Sequence, residues 1–157
     1  MSAPTSTPVD ARTLVPERTF AKLTARIGKD HPELAADLPG RIMDQALAFL
    51  ATCAVSPRRL GPSELVDIGW HTFVLYTRDY AESCDRVAGR FIHHVPEDAG
   101  DRDRSAVPVV RAVRAVRAAG YTVDEAVWRG GLADCTDSSD GGGGKCTQCY
   151  AGCHDSP

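Results

Sequence analysis

Asparagine is absent from all 157 residues, so no N-glycosylation sequon exists. Lysine is nearly absent too: three lysines stand against fifteen arginines, a bias read as genomic before functional. Aromatic residues make up only 6% of the chain while alanine and valine abound, which suits small helices packing at short distance. With a formal charge of -3, neither sign dominates, and neither nucleic-acid steering nor a polyanionic surface follows. Long apolar runs are missing as well. Residues 1–20 hold no continuous apolar run of the kind a secretory signal needs, and no window approaches the ~18 apolar residues that span a bilayer. The expected address is the cytoplasm, with neither nucleic acid nor membrane among the partners. GxSxG, P-loop and GxGxxG fingerprints are also lacking, which leaves no nucleophile elbow or nucleotide cradle.

What is present suits one domain with enough length to bury a core. Six cysteines in a reducing compartment argue for metal or redox chemistry before a disulfide framework. The expected fold is all-α: a small orthogonal helical bundle over residues 17–133. A disordered arm precedes it over 1–16, where Pro4, Pro8 and Pro16 punctuate serine and threonine. A Gly/Cys-rich tail follows over 134–157.

Helical spacing of Phe20, Leu23 and Ile27 predicts a first helix from Glu17 that Gly28 stops. A short helix is expected from Pro32 to Leu38, broken by Pro39 and Gly40. An apolar helix then runs to about Val55 and carries Cys53 as an inert, buried thiol. Ser63 can cap a central helix through Leu75, and Thr77 a second segment that closes on Gly89. Arg90–Pro96 is expected to be extended, and 97–106 a charged loop. Val107, Val110, Val113 and Val116 mark a helix that Gly120 ends. Beside them Arg111, Arg114 and Arg117 form a stripe, read as a solvated face before an anion site. Thr122 with Glu125 fits a capping box for a last helix, on which Trp128 docks.

One stretch, residues 67–96, combines apolar periodicity with an unusual density of ligand atoms. It holds three of the five histidines, together with Trp70, Tyr76, Tyr80 and Cys84. Asp67 and His71, four residues apart, share a helix face, so the carboxylate can ligate a metal with the imidazole or orient it. Cys84 lies thirteen residues after His71 and meets it only if the chain bends near Thr77. Adjacent His93 and His94 point to opposite sides of an extended segment, so one of them should face His71. His93 is the expected one, because Phe91 shares its side and should be buried. The simpler alternative is a hydrogen-bonded core histidine beside a tryptophan.

Trp70-His71, Leu75, Thr77, Tyr80, Cys84, Gly89, Phe91 and His93-His94 resemble the core of the bacterial glycine-rich-domain-containing protein-like family. That core is similar to Val-Asp-x-x-Trp-His, then Leu-x-Thr-x-x-Tyr, a cysteine and Gly-x-Phe-x-His-His. The resemblance implies a helical fold. Phe73 stands where many relatives carry a further histidine, which removes one ligand.

The tail reads C-x10-C-x2-C-x3-C through Cys135, Cys146, Cys149 and Cys153, with His154 next. Three readings stay open for it. The thiolates can wrap one zinc, with Gly141–Gly144 allowing closure. Cys146 and Cys149 can cycle as a disulfide. Or the tail is an unstructured peptide that a partner enzyme modifies. The expected role is non-catalytic: a metal-binding interaction or accessory protein whose tail holds zinc and meets an unidentified protein partner.

Overall fold

The computed structural model describes residues 7–95 and 107–129. They form α1 (Glu17–Asp30), α2 (Leu38–Val55), α3 (Glu64–Leu75), α4 (Thr77–Ala88), α5 (Val107–Ala118) and α6 (Glu125–Arg129), preceded by a 3-10 turn at Ala11–Leu14. The domain is all-α, as expected. Among the described residues the only β pairing is one isolated parallel bridge, Val9 to Tyr121.

The order of these elements follows from a few residues. In α1, Thr19, Leu23 and Ile27 fall on one face and are buried. Gly28 does not end this helix. Pro32 does, by pushing the residue before it away from helical angles: His31 sits at φ -127°, ψ 67° and caps the helix. No helix forms over 32–37. Leu38, Pro39 and Gly40 are instead the first turn of α2, where a missing N–H costs nothing.

The central helix is α2, not α3. It packs against every other helix and the 3-10 turn. Every residue from Gln45 to Thr52 is buried, which requires neighbours on all sides. Phe49, fully enclosed between the rings of Trp70 and Trp128, is its anchor; such burial stabilises by about 1.5–3 kcal/mol.

Against α2 lies α3, whose Val66, Gly69, Trp70 and Phe73 face inward. Gly69 sets the closeness of that contact. A Cβ there would come within 2.7 Å of the Ala46 Cβ and 3.2 Å of the Ile42 carbonyl oxygen. Gly69→Ala is therefore expected to cost about 1–3 kcal/mol through overpacking. Urea denaturation would show it as a lower midpoint at unchanged slope.

The expected boundary at residue 17 lies too late in the chain. Ala11 and Val15 belong to the core, and Asp10 caps the 3-10 turn through a 3.0 Å bond from the Arg12 N–H. Residues 1–6 lie outside the described residues, as do 96–106 and 130–157. On α5 the valine stripe is displaced: Ala112 and Val116 are buried while Val110 is 48% exposed. Repeats of three lag behind the 3.6-residue turn, so the stripe rotates off the core. Arg117 pairs with Glu125, Arg111 reaches the Arg59 carbonyl at 3.5 Å, and Arg114 is exposed.

Asp124, rather than Thr122, caps α6. Its Oδ1 accepts from the Ala126 and Val127 N–H groups at 3.1 and 3.4 Å. Its two oxygens also receive Arg41 Nε and Nη2 at 2.7 and 2.9 Å. That guanidinium holds the Asp124 carboxyl below its ordinary range, overcoming the opposite pull of burial. A lowered folded pKa means stability present above the unfolded value of about 3.9 and lost as pH falls through the folded one. Asp124→Asn should therefore destabilise the protein at pH 7 and shrink the difference from wild type below about pH 4. Melting curves from pH 7 down to 2.5 would check the convergence.

Candidate metal centre

Two elements bring three ligand-bearing side chains to one place. On α3, Ser63 is the N-cap: its Oγ accepts from the Val66 N–H at 3.2 Å and donates to the Val127 carbonyl at 2.9 Å. The helix start is thus fixed to α6. Asp67 follows in the first turn, where the helix dipole favours a negative charge. His71 lies one turn on. The inward stripe of Trp70 and Phe73 leaves both residues on the outer side, His71 with 61% of its side chain exposed.

The second element is 90–95, which has no regular structure of its own. Ile92 is 7% exposed and anchors it. In extended chain, residues two apart share a side, so burying Ile92 brings His94 inward with it. His94 is the histidine that faces His71; His93 is not. His93 is exposed and stacks on Phe91 at 4.8 Å between centroids, and Phe91 is itself 45% exposed. Alternation was the right rule. Phe91 was the wrong anchor, because Ile92 fills the core position and Phe91 only lays its ring against Tyr80 at 5.2 Å.

Asp67 lies between the two imidazoles. Its Oδ1 is 2.8 Å from His94 Nε2, and its Oδ2 is 3.1 Å from His71 Nδ1. The His71 and His94 rings are 4.1 Å apart, and His94 also leans on Trp70 at 4.4 Å. One ligand atom from each of Asp67, His71 and His94 lies within 4.8 Å of the others. An ionised carboxylate only accepts, so each ring nitrogen facing it carries that ring's hydrogen. To ligate an ion through the nitrogen that faces Asp67, a ring must first give up the hydrogen there.

Behind the cluster a buried pair fixes the frame. The Trp70 indole N–H donates to the Tyr80 hydroxyl at 2.8 Å, and that hydroxyl donates to the Ile92 carbonyl at 2.5 Å. Burial pushes the Tyr80 phenol well above its ordinary range, so it keeps the proton it donates. Trp70 and Tyr80 lie ten residues apart on different helices, and no local spacing gives a sign of this pairing.

Cys84 is not at the cluster. It is buried on α4, one turn after Tyr80, and lines a small apolar cavity with Leu14, Leu50, Phe73 and Ile92. The bend does exist, at Tyr76 (φ -94°, ψ 67°) rather than Thr77, and no side chain caps α4 there. It turns Cys84 into the core instead of toward His71. Cys53 is half-buried, and burial pushes its thiol up to about 12, consistent with an inert side chain. Cys135, Cys146, Cys149, Cys153 and His154 lie outside the described residues.

An all-α domain that carries an Asp-His-His cluster on its surface defines the class. More particularly, the chain belongs to the UCP032817-like family, whose model matches residues 11–122. The match spans the whole cluster and ends before the cysteine tail. No curated protein and no solved structure matches the chain. No helix among the described residues is long and apolar enough to cross a membrane.

Proposed function

We propose that this protein is a small metal-binding helical protein, acting as an accessory or interaction protein, with Asp67, His71 and His94 as ligands to a divalent transition ion, zinc first. The observation that carries it is the convergence of two imidazoles and one carboxylate, from separate elements, within 4.8 Å. The donor set is that of a borderline ion: imidazoles suit zinc, copper, iron and nickel, whereas calcium and magnesium prefer oxygen alone. Ligand bonds of about 2.0–2.2 Å to zinc place donors roughly 3.3 Å apart, so side-chain rotation suffices to close the cluster. Three protein ligands leave at least one position for water or for a partner's side chain, which connects the site to an accessory role in the cytoplasm. The likeness to the glycine-rich-domain-containing protein-like core adds only the helical frame.

Zinc titration of the full chain, stripped with a chelator and kept reduced, tests this against the cysteine tail. One equivalent should bind and survive deletion of residues 134–157. It should be lost when His71 and His94 are both replaced by alanine. Zinc that departs with the tail and ignores the two histidines would move the ligands to Cys135, Cys146, Cys149 and Cys153 or His154.

A further inference from the structure

The two ligands on α3 are fixed by a regular helix, but His94 sits on a segment that makes no helix or ladder. Something outside the segment must therefore fix its position. Ile92 supplies the apolar half of that attachment, but a buried side chain alone leaves the chain free to slide and rotate. Among the described residues the buried directional half is one hydrogen bond, from the Tyr80 hydroxyl to the Ile92 carbonyl, two residues before His94; the contact of Arg90 with the Cys53 carbonyl at 3.5 Å is exposed. Tyr80 is held in turn. Its hydroxyl accepts from Trp70 on α3, and its ring is edge-on to Phe73 at 5.2 Å. Trp70 is the residue directly before His71 and is also the ring His94 leans on. One hydroxyl thus ties the segment carrying the third ligand to the helix carrying the other two.

We infer that Tyr80 is the positioning residue of the cluster, setting His94 against Asp67 through the Ile92 carbonyl without touching an ion itself. The inference rests on the metal-binding reading for its consequence, but its geometry is present without an ion. Groups that orient a ligand from outside the coordination sphere typically change affinity by ten- to a hundredfold. Reciprocity follows: whatever Tyr80 contributes to zinc binding, zinc returns as tighter docking of residues 90–95.

Tyr80→Phe tests it, since a phenyl ring keeps the packing on Phe73 and Phe91 and removes only the hydroxyl. Two readouts are taken on the full chain, below the melting transition. In zinc competition titrations, Tyr80→Phe should weaken binding about ten- to a hundredfold. Val116→Ala, which opens a cavity on α5 where that helix packs on α2, should leave binding within about twofold of wild type. In nitrogen-15 spectra taken with chelator present, the His94 ring signals should shift toward those of a free imidazole, while the α3 amides stay in place. If Tyr80→Phe does not fold, Ile92→Ala loosens the same segment with Tyr80 intact and should give the same His94 shift. Unchanged His94 signals, or a loss of affinity matched by Val116→Ala, would overturn the positioning role. Wild-type protein that binds no zinc would sink the metal reading instead, and the His94 signals would still decide this one.

Discussion

Asp67→Asn is expected to weaken zinc binding by at least about a hundredfold while lowering stability by no more than about 1 kcal/mol. The asymmetry comes from where the residue sits. Asp67 is the only carboxylate of the cluster and the only member within hydrogen-bonding distance of both imidazoles. An amide of the same shape keeps one acceptor oxygen and turns the other into a donor. It can face one histidine as before but not both, and it brings no negative charge to a divalent ion. For the fold the loss is slight, because the carboxylate is 36% exposed and its pairs are of the surface kind. The favourable contact with the start of α3 adds only about 0.3–1 kcal/mol. Competition titration paired with a thermal melt separates the two quantities. Equal losses in both would mean that Asp67 is structural and that the cluster holds no ion.

The largest effect on the fold is expected at a residue whose chemistry the helical pattern hides. Gln45 is 2% exposed and sits in the middle of α2. Its Oε1 accepts from the Trp128 indole at 2.8 Å and from the Asp124 N–H at 3.1 Å. Its Nε2 donates to the Thr122 carbonyl and to Asp44 Oδ2, both at 3.0 Å. The amide is thus fully used, and it joins the α5–α6 connection to the central helix. Gln45→Leu preserves approximate volume but strands the buried Trp128 indole N–H and takes the partner from the part-buried Asp124 N–H and Thr122 carbonyl. Each such orphan costs about 1–3 kcal/mol, and local relaxation recovers part of it, so a net loss of roughly 3 kcal/mol is expected. In a domain of this size that lowers the melting temperature by about 10–15 °C. Near-UV circular dichroism should show Trp128 losing its fixed environment before the helices melt. A melting temperature within 2 °C of wild type would show that water satisfies these groups instead.

Much of the frame was legible because it depends on neighbours in the chain. Ser63 caps α3 as a serine before an acidic first turn should, and Gly89 closes α4 at φ 64°, an angle that other residues resist. The i, i+4 pairing of Asp67 with His71 also follows from helix geometry alone. The failures have two causes: proline geometry reset the helix ends, and the core overrode local preference elsewhere. Pro32 ended α1 where Gly28 was expected to, and Pro39 opened a helix it was expected to break. Phe91, larger and more apolar to the eye, yielded the inward position to Ile92, and that exchange moved the facing imidazole from His93 to His94.

By itself, then, the sequence determined most of the helices, the caps at Ser63 and Gly89 and the α3 face that carries Asp67 and His71, because these depend on contacts within about four residues. Only the tertiary structure decided which histidine faces His71, that α2 is the helix all others share, and that Trp70, Tyr80 and Ile92 form one hydrogen-bonded chain behind the cluster. Those outcomes depend on which side chain fits a cavity formed by residues far away in the chain, and no local spacing encodes that fit.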